Sequence, residues 1–443
     1  MNLSPAILIL GLAAALSAQE PPPKMSLSYG KAIEIALAPD GNTRVQLAAE
    51  AIRQAQARKD EVRSALLPNV DGSWTARSFT QDLETFGFGS SLGKLPFPMS
   101  TFVGPISVYD LRASATQTVF DLSAIRRLQS AGAQISAARL DSQEARLQAA
   151  ALAGKAYMNA ARAETAVRTA QSNVELAERL LHLAQTQKEA GTATGLDITR
   201  AQVQLATERQ RLIAAREDRE TSRLNLLRAI NLSLDLDFDL TDKLQYTPVG
   251  IPDPATAVKA AIDNRPDLKA QIERERSARL GYDAAKWARL PSVGAFGDYG
   301  DIGVEPTTLR PTRTVGVTVR IPVFDGGRRD AQRAEASSQL RSESIRTRDA
   351  RSQTELEVRT SIDALRSADE QARVTMEALQ LSEKELAQAQ RRFENGVAIN
   401  LEVTDAQTRL ARARENNDTA VYRQRAARID LAAALGDMNE ISR

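Results

Sequence analysis

The sequence predicts a mainly α-helical chain built as a tandem repeat, with long antiparallel helices and four strands per subunit that contribute to a membrane β-barrel. Three observations predict it: motifs that recur at a near-constant offset, two proline-free stretches too long for a globular domain, and two pairs of segments that alternate with period two.

The repeat is read most directly from a glycine-containing break and the helix start that follows it. Ala190-Gly-Thr-Ala-Thr-Gly-Leu-Asp-Ile-Thr-Arg-Ala-Gln202 answers Asn395-Gly-Val-Ala-Ile-Asn-Leu-Glu-Val-Thr-Asp-Ala-Gln407, with Gly191 and Gly396, Leu196 and Leu401, and Gln202 and Gln407 all 205 positions apart. Val119-Phe120-Asp121 and Val323-Phe324-Asp325 are 204 apart, so the helix between these landmarks has nearly one length in both halves. Leu67-Pro68 and Leu290-Pro291 are 223 apart, which places an extra 19 residues between the Leu-Pro and the Val-Phe-Asp of the first half. Internal repetition of this kind makes each half one structural unit. The first unit is expected over 19–232 and the second over 255–443, each reading as opening helix, two strands, long helix, break and return helix.

The long helices are expected over about 123–190 and 326–395. At ~1.5 Å per residue each is on the order of 100 Å long, wider than a globular domain. Return helices over about 197–230 and 401–435 are half that length, as are opening helices over about 27–66 and 255–290. A return helix and an opening helix stacked end to end match one long helix.

The strands are expected at about 70–80, 108–119, 292–299 and 313–323. Val70, Gly72, Trp74 and Ala76 alternate with Asp71, Ser73, Thr75 and Arg77, and Val315, Val317 and Val319 alternate with Thr314, Gly316, Thr318 and Arg320. Segments of ~10 residues with one apolar face suit a tilted membrane strand. A half-buried soluble hairpin alternates in the same way. Four strands cannot close a barrel, and lipid does not tolerate open edges, so the subunit must associate. Two copies give eight strands with a filled interior, whereas three give twelve and a wet lumen. The charged positions Asp71, Arg77, Arg112 and Arg320 favour the lumen, hence a homotrimer.

Composition narrows the chemistry. There are 58 Lys+Arg against 56 Asp+Glu, a balance that gives no case for nucleic acid. The chain has no Cys and one His, His182, with no phosphate-cradling loop or metal-spaced cluster, so neither an enzyme nor a cofactor is expected. Residues 1–18 read as a secretory signal peptide, with an apolar run from Pro5 to Leu16 too short to span a bilayer.

Ala257-Val-Lys-Ala-Ala-Ile-Asp-Asn-Arg-Pro-Asp-Leu268, Arg289-Leu-Pro-Ser-Val293, Val319-Arg-Ile-Pro-Val-Phe-Asp-Gly-Gly-Arg328, and Arg392-Phe-Glu-Asn-Gly396 with Leu401-Glu-Val-Thr-Asp-Ala-Gln407 follow one another in a specific order. In that order they resemble the TolC-like outer-membrane efflux channel family. The resemblance implies a trimer with a 12-stranded barrel in outer-membrane lipid, an α-helical barrel crossing the periplasm, and an equatorial domain around the 233–254 linker and the C-terminus. It implies an outer-membrane channel subunit of a tripartite efflux or type I secretion system. Its partners would be a periplasmic membrane-fusion adaptor protein and an inner-membrane pump of RND or ABC type.

The breaks after the long helices would be the periplasmic tips. The resemblance places a gate at Asp197, Glu402 and Asp405, with Phe393 where the family can carry an aromatic gate residue. It places adaptor contacts at Gly191, Gly195, Leu196, Gly396 and Leu401. Asp197 also suits the first turn of its helix, where a carboxylate meets free N–H groups, and Glu402 suits the same role. Three departures from the family pattern stand out: Asp40-Gly-Asn-Thr replaces Asn264-Arg-Pro-Asp in the first half, Gln187-Lys188 replace an Arg-aromatic pair, and Ala398 replaces an Arg. The competing reading is a periplasmic coiled-coil structural or adaptor protein without a barrel.

Overall fold

The computed structural model describes residues 25–87, 101–191, 193–395, 397 and 400–441. The expected signal peptide, most of the long first-half loop, and Gly396 and Ala398 lie outside the described residues. In chain order the first half holds β1 (Met25–Leu27), α1 (Tyr29–Leu37), α2 (Thr43–Ser64), β2 (Asn69–Asp82), β3 (Phe102–Phe120), α3 (Leu122–Glu189) and α4 (Gly195–Ala229). After β4 (Phe238–Leu240), the second half holds α5 (Pro254–Asn264), α6 (Pro266–Trp287), β5 (Ser292–Gly303), β6 (Arg310–Arg320), α7 (Arg328–Glu394) and α8 (Asn400–Leu435), with α9 (Met438–Ile441) closing the chain.

Each opening helix, expected as one piece, is split in two. In the first half the chain turns so tightly at Gly41 that a Cβ there would lie 1.6 Å from the Ile35 carbonyl oxygen. In the second half Pro266 takes the first position of α6, where its missing N–H is harmless, and the helix before it ends at Asn264. The last strand stops at Arg320, short of the expected 323, because Pro322 cannot donate to the ladder.

These splits are where return helix and opening helix meet, and each half builds the joint from different residues. Asn42 caps α2 by accepting from Arg44 N at 2.8 Å and donates to Ala229 O at 3.0 Å, so one side chain holds the end of α4 against the start of α2. Asn231, left-handed at φ 54°, donates to Asp40 O at 2.7 Å. Its repeat counterpart is Gly436, also left-handed at φ 72°, packed so near Arg265 that a Cβ would lie 3.1 Å from the Arg265 Cα. Arg265 replaces the asparagine clasp with charge, binding Asp267 at 2.7 and 3.0 Å and Glu357 of α7 at 2.5 Å. The Asp40-Gly-Asn-Thr stretch ties its opening helix to the return helix with neutral groups, whereas Arg265 ties its own opening helix to α7 with charge.

A helical wall results, with α3 packed against α4 and α2 on one side and against α8 and α6 on the other, and α7 beyond them. Alanines line its interior, among them Ala149, Ala150, Ala153, Ala160 and Ala163 on α3, which lets the helices approach closely. Around mid-height β1 pairs in parallel with β4 and packs on the wall through Leu27, Phe238, Tyr157 and Leu226. The Tyr157 hydroxyl lies 3.0 Å from both Leu27 O and Asp242 Oδ2, and its burial pushes the phenol up to about 12. The C-terminus joins this belt, since Tyr29 donates to Ile441 O at 2.6 Å.

The four long strands form one antiparallel sheet in the order β2-β3-β5-β6. Paired residues share a face: Val70 opposes Ala115, Trp74 opposes Leu111, Ala113 opposes Tyr299, and Val293 opposes Val319. The other face carries Asp71 opposite Ser114, and Ser73 opposite Arg112, which in turn opposes Gly300.

Candidate functional site

The outer face of the sheet is apolar and bare. Val315, Val317, Val319, Trp74 and Tyr299 are exposed, and Val323 and Phe324 just beyond β6 are 93% and 90% exposed. Leaving each such side chain in water forgoes roughly 1.5–3 kcal/mol of burial, more than a folded soluble chain sacrifices across a whole face. From Tyr109 to Phe120, β3 rises about 28 Å at ~3.3 Å per residue and a tilt near ~40°, close to the apolar band of an outer-membrane barrel. Tyr109 and Trp74, which opposes Leu111, lie toward one end of this stretch of β3, and Phe120 lies at the other.

The inner face is polar and internally paired. Arg112 bonds Asp298 across the β3–β5 pair, Asp110 at 3.2 Å and Thr312 at 3.2 Å, a network that ties three strands together. Phe296 lies across Gly316, where a Cβ would come within 2.6 Å of its ring. Among the described residues no helix is long and apolar enough to cross a membrane.

At the opposite end of the wall are the two tips. The first turns through Gly191, left-handed at φ 80°, and restarts α4 with a capping box. Thr194 Oγ1 accepts from Asp197 N at 3.4 Å, while Asp197 Oδ2 accepts from Thr194 N at 2.9 Å and from its hydroxyl at 2.6 Å. These bonds stabilise the carboxylate and hold Asp197 below the usual range. Thr194-x-x-Asp197 is legible as a capping pattern, although the sequence reading named only the acid.

At the second tip Glu402 reaches back across the break to Arg392, Oε2 to Nε at 3.6 Å. Asp405 is exposed and makes no hydrogen bond or ion pair among the described residues. Phe393 is only 6% exposed, seated within the subunit among Leu180, Leu386, Ala389, Val403 and Ala406, so its ring joins the α7/α8 hairpin to α3. Beside it Gln407 is 2% exposed with neither amide atom partnered, while its repeat counterpart Gln202 is exposed. Arg392 enters the sequence reading only within the Arg392-Phe-Glu-Asn-Gly396 motif, because pairing across a break leaves no spacing signature. Leu196 and Leu401 are exposed at the tips, 57% and 40%, and Gly195 is the first residue of α4.

A lipid-facing sheet joined to a helical wall with acidic tips defines an outer-membrane channel subunit. The sequence profile described as "Outer membrane efflux protein" matches residues 35–232 and 257–437, both halves of the repeat, and the chain belongs to that family. The pyoverdine export outer membrane protein OpmQ of Pseudomonas putida is 24% identical over 395 residues, covering 88% of this chain and 82% of that one. The toluene efflux pump outer membrane protein TtgF of the same species is 25% identical over 388 residues, covering 84% and 76%. Among solved structures, the Campylobacter jejuni CmeC outer membrane channel superposes with a TM-score of 0.80 at 16% identity, covering 99% of this chain and 94% of that chain. The Neisseria gonorrhoeae MtrE channel in its open state gives 0.77 at 21% identity, covering 92% and 88%. The chain thus has the TolC-like fold, and the outer membrane, with a large periplasmic helical portion, is its place. The reading as a periplasmic coiled-coil protein without a barrel gives way.

Proposed function

We propose that three copies of the chain form a passive, gated duct, the outer-membrane exit of a tripartite efflux or type I secretion system. The observation that carries it is the open sheet. β2 and β6 each have one unpaired edge, and both border an apolar face that requires lipid. In lipid those edges must pair, β6 of one copy with β2 of the next, and a closed ring follows. Three copies give twelve strands and room for the water that Asp71, Arg112 and Asp298 call for. The wall supports the same ring: its two outermost helices carry unpartnered apolar stripes, Val203, Ile213 and Leu224 on α4, and Ile345, Leu356, Val374 and Leu381 on α7.

The tips are the gate in this reading. Threefold symmetry brings three copies of Glu402 and Asp405 near one axis, where like charges repel and cations collect. Asp197 adds its charge from a position fixed by Thr194, and Phe393 sets the seat of the second hairpin. Leu196, Leu401 and the glycines Gly191, Gly195 and Gly396 present the docking surface to a periplasmic membrane-fusion adaptor, and an inner-membrane pump of RND or ABC type supplies energy and selects the cargo. The duct itself catalyses no reaction. Native mass measurement of detergent-purified protein tests the assembly: a trimer is expected, and a stable monomer or dimer overturns the proposal.

A further inference from the structure

Inside the sheet the lumen charges pair across strands, as Arg112 of β3 does with Asp298 of β5 and with Asp110 of its own strand. Two charges on the same face stand apart from that network. Asp71 is the third residue of β2 and Arg320 the last of β6, so both lie at the end of the sheet that joins the helical wall. Each is exposed, and neither side chain makes a hydrogen bond or ion pair among the described residues. What they share is an edge: β2 and β6 are the outer strands of the sheet, each with a neighbour on one side only.

Strand length limits how β6 of one copy can meet β2 of the next. β6 spans Arg310–Arg320 and β2 spans Asn69–Asp82, so an antiparallel seam that pairs every residue of β6 sets Arg320 opposite a position from 69 to 72. Opposed residues share a face, and Arg320 lies on the face of Asn69 and Asp71. Two registers remain. Asn69, Thr116, Phe296 and Gly316 form one row across the sheet, and the seam advances that row along β2 by four residues if Arg320 opposes Asn69, or by six if it opposes Asp71. Around twelve strands these advances give tilts of roughly 35° and 45°, both found in outer-membrane barrels. Chemistry separates the two registers. The Asn69 amide already donates to Leu67 O at 3.2 Å, whereas the Asp71 carboxylate has no partner among the described residues. Setting Arg320 against Asp71 also brings Val317 opposite Trp74 on the lipid face, both exposed in the single subunit.

We propose that Arg320 of each copy pairs with Asp71 of the next, an ion pair that fixes the register of the seams between copies. The proposal rests on the trimeric duct and adds the contact by which its barrel closes. An ion pair open to a wet lumen adds little stability. Its effect is on alignment: the smallest slip that keeps the apolar face in lipid is two residues, and it leaves Arg320 opposite the neutral Asn69 or Ser73.

The chain has no cysteine, so introduced thiols report this contact alone. Directly opposed residues of neighbouring strands lie about 4.5–5.5 Å apart at Cα, within disulfide reach, whereas Asp71 and Arg320 of one copy are separated by three strand spacings, roughly 14 Å. Asp71→Cys/Arg320→Cys in the detergent-purified full chain, oxidised with copper phenanthroline, is expected to give covalent dimer and trimer on a denaturing gel, at least tenfold more than Asn69→Cys/Arg320→Cys or either single variant. Asp71→Arg sets like charges against each other and is expected to lower the trimer fraction in native mass measurement at least threefold, and adding Arg320→Asp is expected to restore it. A trimer that lacks the cross-link between positions 71 and 320, or that cross-links as well through position 69, overturns the register. No loss from Asp71→Arg, or no recovery on adding Arg320→Asp, overturns the ion pair. A wild-type chain that is not a trimer overturns the duct reading instead, so the two failures are distinguishable.

Discussion

At the first tip Asp197 closes a capping box with Thr194, and at the second its counterpart 205 positions later, Glu402, reaches back to Arg392. Both acids occupy the third position of their helices, so position alone does not separate them. What differs is the residue before each helix, Thr194 in one case and Ile399 in the other, and isoleucine carries no acceptor for a capping bond. At the first tip the acid is taken up by Thr194, whereas at the second Glu402 pairs with an arginine across the break. Beneath it Phe393 is buried where the first tip has the exposed Lys188. The first tip is thus held by local backbone bonds, and the second by an ion pair over an aromatic seat.

That contrast predicts unequal sensitivity to mutation. Phe393→Ala removes a buried ring and is expected to destabilise the α7/α8 hairpin by about 3 kcal/mol in thermal unfolding. Lys188→Ala is expected to shift stability by less than about 0.5 kcal/mol. Similar losses from both would erase the distinction between the tips.

Next in size is Thr194→Ala, expected to cost about 1 kcal/mol locally, read as lower amide protection in the first turn of α4. Ile399→Thr probes the same rule in reverse by giving Glu402 the Thr-x-x-Glu pattern: α8 is expected to gain a few tenths of a kcal/mol to about 1 kcal/mol. If stability falls instead, the capping account of the difference is wrong.

The smallest effect is on pH. The folded-state pKa of Asp197 is depressed, so its contribution is complete above the ordinary 3.8 and disappears as pH falls through the lower folded value. Asp197→Asn is therefore expected to loosen the first turn of α4 at pH 7 and to match the wild type once the carboxyl is protonated. A difference persisting in that acid range would mean that something other than the charge holds the turn.

Much of this architecture is legible in the sequence because it follows from period and repetition. The long helices announce themselves by length without proline, and the strands by alternation that survives in the register of Trp74 with Leu111 and of Val293 with Val319. Boundaries fail where one residue outweighs the pattern: Gly41 and Pro266 split helices whose apolar spacing runs on, and Pro322 ends a strand whose alternation continues through Val323. The joint made by Asn42 and Asn231 is invisible because its partners are 187 and 191 residues away. At the tips the acids are readable by offset, but their employment is not. Glu402 meets Arg392 across a chain reversal, and such a partner leaves no mark in the spacing.

Single-channel recording in planar bilayers tests the gate most directly, comparing wild type, Glu402→Gln/Asp405→Asn and Asp197→Asn. The double variant is expected to change conductance and lower cation preference, and Asp197→Asn to do so less. Identical conductance and selectivity in all three proteins would contradict the gate assignment.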